Sequence, residues 1–303
     1  MKPRNSIAAL GILLCCTLAA AAPEATDADH PPGRAAPNHN VPGGVYLQPL
    51  QEDAVAVRYQ KRPVLIIDRV AFVGIPLSAA PGTHELEIEQ VDGGRRIRHF
   101  DVHPKQYTEQ HLTIENQRMV DPLPEDLERI RRETTLMSTQ YLRFTVPPDD
   151  VRPFVQPVEG VLSSSFGRRR VLNGQPRNPH SGLDIAADTG TPIFAPAPGT
   201  VSLTGDFYFN GNSVFVDHGA GLITMYCHLS EIGVRDGDTV QRGSELGRVG
   251  ATGRVTGPHL HWSVSLNGNR VDPMLVMSLL EARAEPLADT AEPEVSGPSD
   301  GGR

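Results

Sequence analysis

Five of the eleven histidines lie between His180 and His261, and the short runs around them contain residue types that can bind a metal ion. One run, His180-Ser-Gly-Leu-Asp184, places an imidazole and a carboxylate four residues apart, and its alternating apolar residues favour a strand. Imidazole nitrogen and carboxylate oxygen are ordinary zinc ligands. A catalytic zinc takes three protein ligands and leaves a fourth position for water. The run therefore predicts a zinc site completed by one further histidine.

A second run, residues 258–266, contains a His-x-His pair within strictly alternating apolar and polar residues. In a strand, this alternation places His259 and His261 on one polar face, opposite the face that contains Trp262. An isolated pair of this kind is more often two solvated histidines on a half-exposed strand. The metal interpretation depends on what else shares that face.

A third run, residues 222–229, alternates in the same way and places His228 opposite an apolar face that contains Cys227. We assign Cys227 to the core, because a buried thiol is inert. A zinc hydrolase needs a proton acceptor and a group that stabilises the oxyanion, besides its three ligands. His228 and one histidine of the His-x-His pair could serve. His218 lies at a hairpin turn signal and is expected to be a turn residue.

The elements that position these residues are predicted to be mainly β-strands. Short apolar runs separated by turn signals predict an amino-terminal β-sandwich-like domain over residues 42–118. Its strands are expected at residues 44–47, 63–67, 70–75, 84–90 and 97–102. Helical spacing then predicts a linking helix over residues 119–145, followed by a linker over 146–156. The histidines fall in a second, antiparallel β domain, residues 157–275, before a short helix and a disordered acidic tail over 276–303.

The first 21 residues predict a cleavable signal peptide, because Lys2 and Arg4 precede an apolar run that ends in alanines. Residues 22–41 are expected to be a disordered leader. The protein is therefore predicted to be periplasmic or secreted, without a membrane span in its mature form. Only Cys227 remains after cleavage, so no internal disulfide is expected. A net charge of −8 argues against nucleic acid as a partner.

Together, the histidine runs resemble the lysostaphin-type (LytM-like) zinc metallopeptidases of bacterial cell walls. The runs that carry the resemblance are His180-x-x-x-Asp184, Tyr226-Cys-His228-Leu-Ser and Gly257-Pro-His259-Leu-His261-Trp. Framework segments that also match include Ser164-Ser-Phe-Gly-Arg168, Gly190-Thr-Pro-Ile193 and Val271-Asp-Pro273. The match covers residues 157–275. Residues 42–118 look like an amino-terminal β domain that accompanies this peptidase in some Gram-negative secreted proteins.

The resemblance implies a role for each of five residues. His180, Asp184 and His261 would bind one zinc ion, and His228 and His259 would be catalytic, with neither assigned a unique role. Some members have a tyrosine shortly before the first ligand, but here Asn173-Gly-Gln-Pro-Arg-Asn-Pro precedes His180. The oxyanion-stabilising residue is therefore unassigned. Residues 168–170 and Arg177 are basic and could meet carboxylates of the substrate, although such runs are more often solvated surface.

The resemblance implies hydrolysis of the peptide cross-links of peptidoglycan by a metal-activated water. The alternative is a non-catalytic, wall-binding activator of an amidase, but related domains of that type have lost ligand residues, whereas all five positions are present here. A lipoyl-type carrier would need a lysine at the hairpin tip in residues 236–249, and none is present. A regulatory protein partner is a further expectation.

Overall fold

The computed structural model describes residues 39–147 and 149–282. The predicted signal peptide, nearly all of the leader and the tail from residue 283 lie outside the described residues. The strands of the amino-terminal half are β1 (Val45–Pro49), β2 (Ala54–Tyr59), β3 (Arg62–Pro63), β4 (Leu65–Ile67), β5 (Val70–Gly74), β6 (Gly82–Gln90), β7 (Arg95–Val102) and β8 (Glu109–Leu112).

The remaining strands follow a 3-10 turn (Gln117–Met119) and helix α1 (Pro124–Tyr141). They are β9 (Val161–Ser164), β10 (Arg169–Leu172), β11 (Gln175–Pro176), β12 (Leu183–Ala186), β13 (Pro192–Phe194), β14 (Gly199–Phe207), β15 (Gly211–Asp217), β16 (Ile223–Leu229), β17 (Glu231–Ile232), β18 (Thr239–Val240), β19 (Glu245–Arg248), β20 (Leu260–Leu266) and β21 (Asn269–Val271). Helix α2 (Pro273–Glu281) follows. Neither helix is long and apolar enough to cross a membrane, a finding that concerns the described residues alone.

Two sheets form the amino-terminal half. One has the order β1-β5-β4 and the other β3-β2-β6-β7, and side chains such as Val73, Leu86 and Phe100 fill the core that they share. The prediction of a mainly β, sandwich-like region is confirmed. Strand β2 was not predicted, although its alternating residues could have indicated it. Strand β8 was not predicted because it is short and polar.

A larger sheet with strand order β18-β14-β15-β16-β20-β12-β9, and with β21 beside β20, forms the second half. Its strands pair antiparallel, as predicted. One face packs into the main core around Leu183 and Trp262. Helix α1 covers part of the other face, where Tyr141 packs edge-on against Phe215. Both faces of β16 and β20 are therefore buried, which the alternating pattern did not predict.

The predicted alternation of β16 ends at His228. Ile223, Met225 and Cys227 pack in the cluster beneath α1, as one face. Leu229, which was expected to join them, instead packs in the main core. The cause is the backbone of His228, which has a φ of +68°, because a residue in this left-handed region rotates the chain that follows it.

The structure differs from the expectation of a linker between separate domains. Within residues 146–156, Val151 and Phe154 are buried in the main core, and Phe154 stacks on Trp262 with ring centroids 6.0 Å apart. The sheet β1-β5-β4 is also shared, since Phe72 faces the main core while Val73 faces the amino-terminal core. The two halves therefore form one continuous packed body.

Asn267 connects the two halves by a pair of hydrogen bonds. Its Oδ1 accepts from the backbone N–H of Gly74 at 2.7 Å, and its Nδ2 donates to the Gly74 carbonyl at 3.0 Å. The side chain is buried and thus replaces a neighbouring strand at the end of β5. Asn269 Nδ2 also donates to this carbonyl at 2.9 Å.

Replacement of Asn267 tests this connection. In Asn267→Ala the Gly74 carbonyl keeps one donor, but its N–H is left buried without a partner, which costs about 1–3 kcal/mol. We expect the free energy of unfolding to fall by that amount in urea titrations. Asn178→Ala is the control, because Asn178 is exposed and its replacement should change stability by less than about 0.5 kcal/mol. Equal stability of the two variants would contradict the assigned role.

Candidate active site

Three side chains converge at the junction of β12 and β20. Asp184 lies opposite His261 in the antiparallel register of these strands, and His180 lies in the loop that precedes β12. His180 was expected in a strand, but its backbone instead bonds to residues 167 and 168. Asp184 Oδ1 is 2.9 Å from His180 Nε2 and 2.7 Å from His261 Nδ1, and these two nitrogens are 3.0 Å apart. Sequence reasoning therefore identified three residues that meet at one point.

The three donor atoms lie close enough together to hold one metal ion. The opposite nitrogen of each imidazole has its own acceptor: His180 Nδ1 donates to the Ser165 carbonyl at 2.9 Å, and His261 Nε2 donates to Ser263 Oγ at 3.1 Å. Ser263 Oγ in turn donates to the carbonyl of Ser181 at 3.0 Å. These bonds leave a lone pair on the two nitrogens that face each other, which is the tautomer that a metal requires.

The ionisation states of Asp184 and His261 also suit a cation. Burial lowers the pKa of His261 to about 4, so this imidazole is neutral at pH 7. Burial disfavours the charged form of Asp184, but the polar contacts of this carboxyl with His180 and His261 hold its pKa well below the ordinary value. Its second oxygen, Oδ2, accepts a hydrogen bond from Arg170 Nη2 at 2.7 Å. Arg170 thus fixes the carboxylate with Oδ1 directed toward the histidines.

His228 and His259 lie beside this group, with ring centroids 4.9 Å apart. Their Nδ1 atoms donate to the carbonyls of Thr252 at 2.8 Å and Gly257 at 2.9 Å. The Nε2 atoms remain as potential proton acceptors, and His259 Nε2 lies 3.9 Å from Asp184 Oδ1. Burial lowers the pKa of His228 to about 3, with further lowering by His261 and His259. The two imidazoles can accept a proton from a group bound at the three-residue site.

A pocket of about 150 Å³ is lined by Asp184, His228 and His259, and sequence reasoning missed part of its remaining lining. Gln110, Leu112 and Ile114 come from the amino-terminal half, through β8, which pairs in parallel with β10. No pattern in this short polar strand indicated the pairing. Arg254 was also missed, although it lies five residues before His259.

The other candidate residues have structural partners. His218 is buried outside the site, where Nδ1 donates to the Pro198 carbonyl at 2.7 Å and Nε2 lies 2.9 Å from Thr224 Oγ1. Cys227 is buried in an apolar cluster, and burial raises the pKa of its thiol to about 11. Of the basic candidates, Arg177 donates to the carbonyl of Val120 at 2.9 Å.

Comparison with known proteins identifies the family. The model of peptidase family M23 matches residues 178–273, and that of the M23 N-terminal domain matches residues 38–105. A crystal structure of a Pseudomonas aeruginosa protein assigned to peptidase M23 is 45% identical, with a TM-score of 0.66. The match covers 79% of this chain and 96% of that one. The chain belongs to peptidase family M23.

Two curated relatives match over a little more than a third of this chain. The peptidoglycan DD-endopeptidase ShyA of Vibrio cholerae is 42% identical over 114 residues, which are 37% of this chain and 26% of ShyA. The DD-carboxypeptidase/endopeptidase Mpg of Neisseria meningitidis is 41% identical over 115 residues, 38% of this chain and 26% of Mpg. The chain thus spans about a quarter of the length of these relatives.

Gly182 permits the close approach of His261. A Cβ atom at residue 182 would lie 2.7 Å from His261 Nε2 and 2.6 Å from the Trp262 carbonyl oxygen. We therefore expect Gly182→Ala to displace the imidazole and to weaken metal binding by about 10- to 100-fold in competition with a chelating dye. Gly233→Ala is the matched control, since its nearest contact would be 3.5 Å. Unchanged metal affinity in Gly182→Ala would contradict this account.

His218 should make stability depend on pH. Burial lowers its pKa from 6.5 to about 4, so between these values the unfolded chain binds a proton that the folded chain excludes. Stability is therefore lost as pH falls, by about 3 kcal/mol in total from this group. We expect His218→Gln to lose less stability than wild type between pH 7 and pH 4 in urea titrations. An equal loss in both proteins would exclude His218 as a source.

Proposed function

We propose that this M23 chain is a zinc-dependent endopeptidase that hydrolyses peptide cross-links of bacterial peptidoglycan. The observation that carries the proposal is the convergence of His180, Asp184 and His261 on one point, with His228 and His259 beside it. The name of ShyA supports peptidoglycan as the substrate, and the names of ShyA and Mpg together favour the class of bond cut by DD-endopeptidases.

His180 Nε2, Asp184 Oδ1 and His261 Nδ1 would hold the ion, because nitrogen and carboxylate donors in a three-residue site with room for water are typical of catalytic zinc. Zinc held by these residues would supply Lewis-acid chemistry, which polarises a scissile carbonyl and favours loss of a proton from the attacking water. Arg170 keeps the Asp184 carboxylate in place. Ser165 and Ser263 keep the two ligand histidines in the required tautomer.

His228 and His259 would transfer the proton of the attacking water. Each has a lone pair on Nε2, so either ring can accept a proton from the attacking water. Once protonated, the same Nε2 can donate to the leaving amine or stabilise negative charge on the carbonyl oxygen. The two rings have matching hydrogen bonds, and neither is assigned a unique step.

Action outside the cytoplasm is also part of the proposal. ShyA is named for action on peptidoglycan, which lies outside the inner membrane, and residues 1–21 have the pattern of a signal peptide. We propose that the mature protein is periplasmic or secreted and that its substrate is a cross-linked peptide.

Release of soluble peptides from purified cross-linked peptidoglycan tests the function. We expect wild type with zinc to produce uncross-linked peptides, detected by mass spectrometry. His261→Ala and chelator-treated wild type should release none, and zinc should restore only the latter. His228→Ala should bind zinc but react about 10²- to 10⁴-fold more slowly, because it lacks a general acid–base group.

His99→Ala is the matched control, since His99 is an exposed histidine on β7 and its variant should cut like wild type. Tight zinc binding by wild type without cleavage would contradict the proposal. That result would instead support the role of a non-catalytic activator. An increase in wall hydrolysis by an added amidase would detect this role.

A further inference from the structure

Arg254 is a partly buried cation that the proposed reaction does not use. Its guanidinium lies over the Phe209 ring, 4.5 Å from the centroid. Nη1 makes a long hydrogen bond of 3.4 Å to the Met119 carbonyl. The side chain lines the same pocket as Asp184, His228 and His259. A positive charge therefore lies in the pocket that these residues line, and most of its five N–H donors have no partner among the described residues.

The charges around Arg254 are not balanced. Within the described residues, Arg254 has no ion pair, whereas Arg170 pairs with Asp184 and Arg177 with Asp121. Burial, followed by repulsion from Arg170 and Arg177, lowers the pKa of Arg254 to about 10. The carboxylate of Asp184 is shared with two histidines, and in the part of the chain that the structure describes, Arg170 Nε is buried without a hydrogen-bond partner. The pocket thus contains more positive than negative charge.

The shape of the pocket restricts what can neutralise this charge. The amino-terminal half supplies one wall, where Gln110 Oε1 accepts from Ser164 Oγ at 3.0 Å. Leu112 and Ile114 continue this wall with apolar surface. The space, about 150 Å³, accommodates a small group on a short aliphatic stem. A planar carboxylate fits the paired donors of a guanidinium.

We propose that Arg254 binds a free carboxylate of the peptide substrate and so selects stem peptides that carry one close to the scissile bond. This inference rests on the proposed function, which makes the ligand an acidic peptide. The aliphatic stem of the group packs against Leu112 and Ile114. Arg254 is then a specificity-determining residue, while the three metal ligands and the two other histidines carry out the reaction.

The test compares synthetic cross-linked stem peptides whose carboxylates are free or amidated. For the free peptide, we expect Arg254→Gln to raise KM by about 10- to 100-fold with kcat within a few-fold of wild type, since a hydrogen bond to a charged group is lost. Wild type should show a similar rise in KM when the free peptide is replaced by the amidated one. The same replacement should raise the KM of Arg254→Gln only slightly. Arg254→Lys should be intermediate, because it keeps the charge without the fork.

Arg248→Gln is the control, because Arg248 pairs with Glu245 and lies outside the pocket. The proposal is overturned if Arg254→Gln keeps the wild-type KM for the free peptide. It is also overturned if Arg254→Gln raises KM equally for the free and the amidated peptide, because Arg254 would then act only by holding residue 119 in place. A fall in the thermal unfolding midpoint would accompany that result.

A binding experiment separates this inference from the proposed function. Calorimetry of zinc-loaded wild type with an uncross-linked stem peptide requires no cleavage. Binding that is lost on amidation or in Arg254→Gln supports the carboxylate site even if no cross-link is cut. If cleavage is normal and binding depends on neither amidation nor Arg254→Gln, the result supports the peptidase function and refutes the carboxylate site.

Discussion

The architecture of the site depends on the pairing of β12 with β20, which places Asp184 opposite His261. Antiparallel partners lie about 5 Å apart, so a carboxylate and an imidazole on one face necessarily meet. Gly182 allows His261 to lie against the preceding loop, and that loop contains His180. The rigid sheet thus fixes two donors, and backbone hydrogen bonds of the loop fix the third.

Electrostatics at the site follow from burial. Burial lowers the pKa values of His228 and His261, so these imidazoles are neutral at pH 7, and a neutral imidazole needs one acceptor for its single N–H. Serine and backbone oxygens supply these acceptors for four histidines, which leaves four lone pairs around one small volume. The nearby guanidiniums have the opposite property, because they stay charged when buried and need anions. One anion is Asp184, and the imbalance makes the pocket attractive to another.

The shared faces of the site residues could be predicted from strand periodicity, whereas their individual roles came from the resemblance to a peptidase family. Alternation placed His259 and His261 together, and it separated His228 from Cys227. It failed where the backbone leaves regular β geometry: His180 lies in a loop, and the left-handed conformation of His228 moves Leu229 to the other core. Strand β8 and Arg254 were missed because contacts between distant segments have no local pattern, and the buried linker was missed because prolines conceal its apolar residues.

The sheet β1-β5-β4 belongs to two cores at once, which limits how this gene can evolve. Deletion of the first hundred codons would expose an apolar face on the catalytic half. The first half, if it were fused to another protein, would expose apolar surface in the same way. Recombination therefore favours exchange of the two halves as a unit. Sequence drift at the junction around Gly74 and Asn267 must be compensated on both sides.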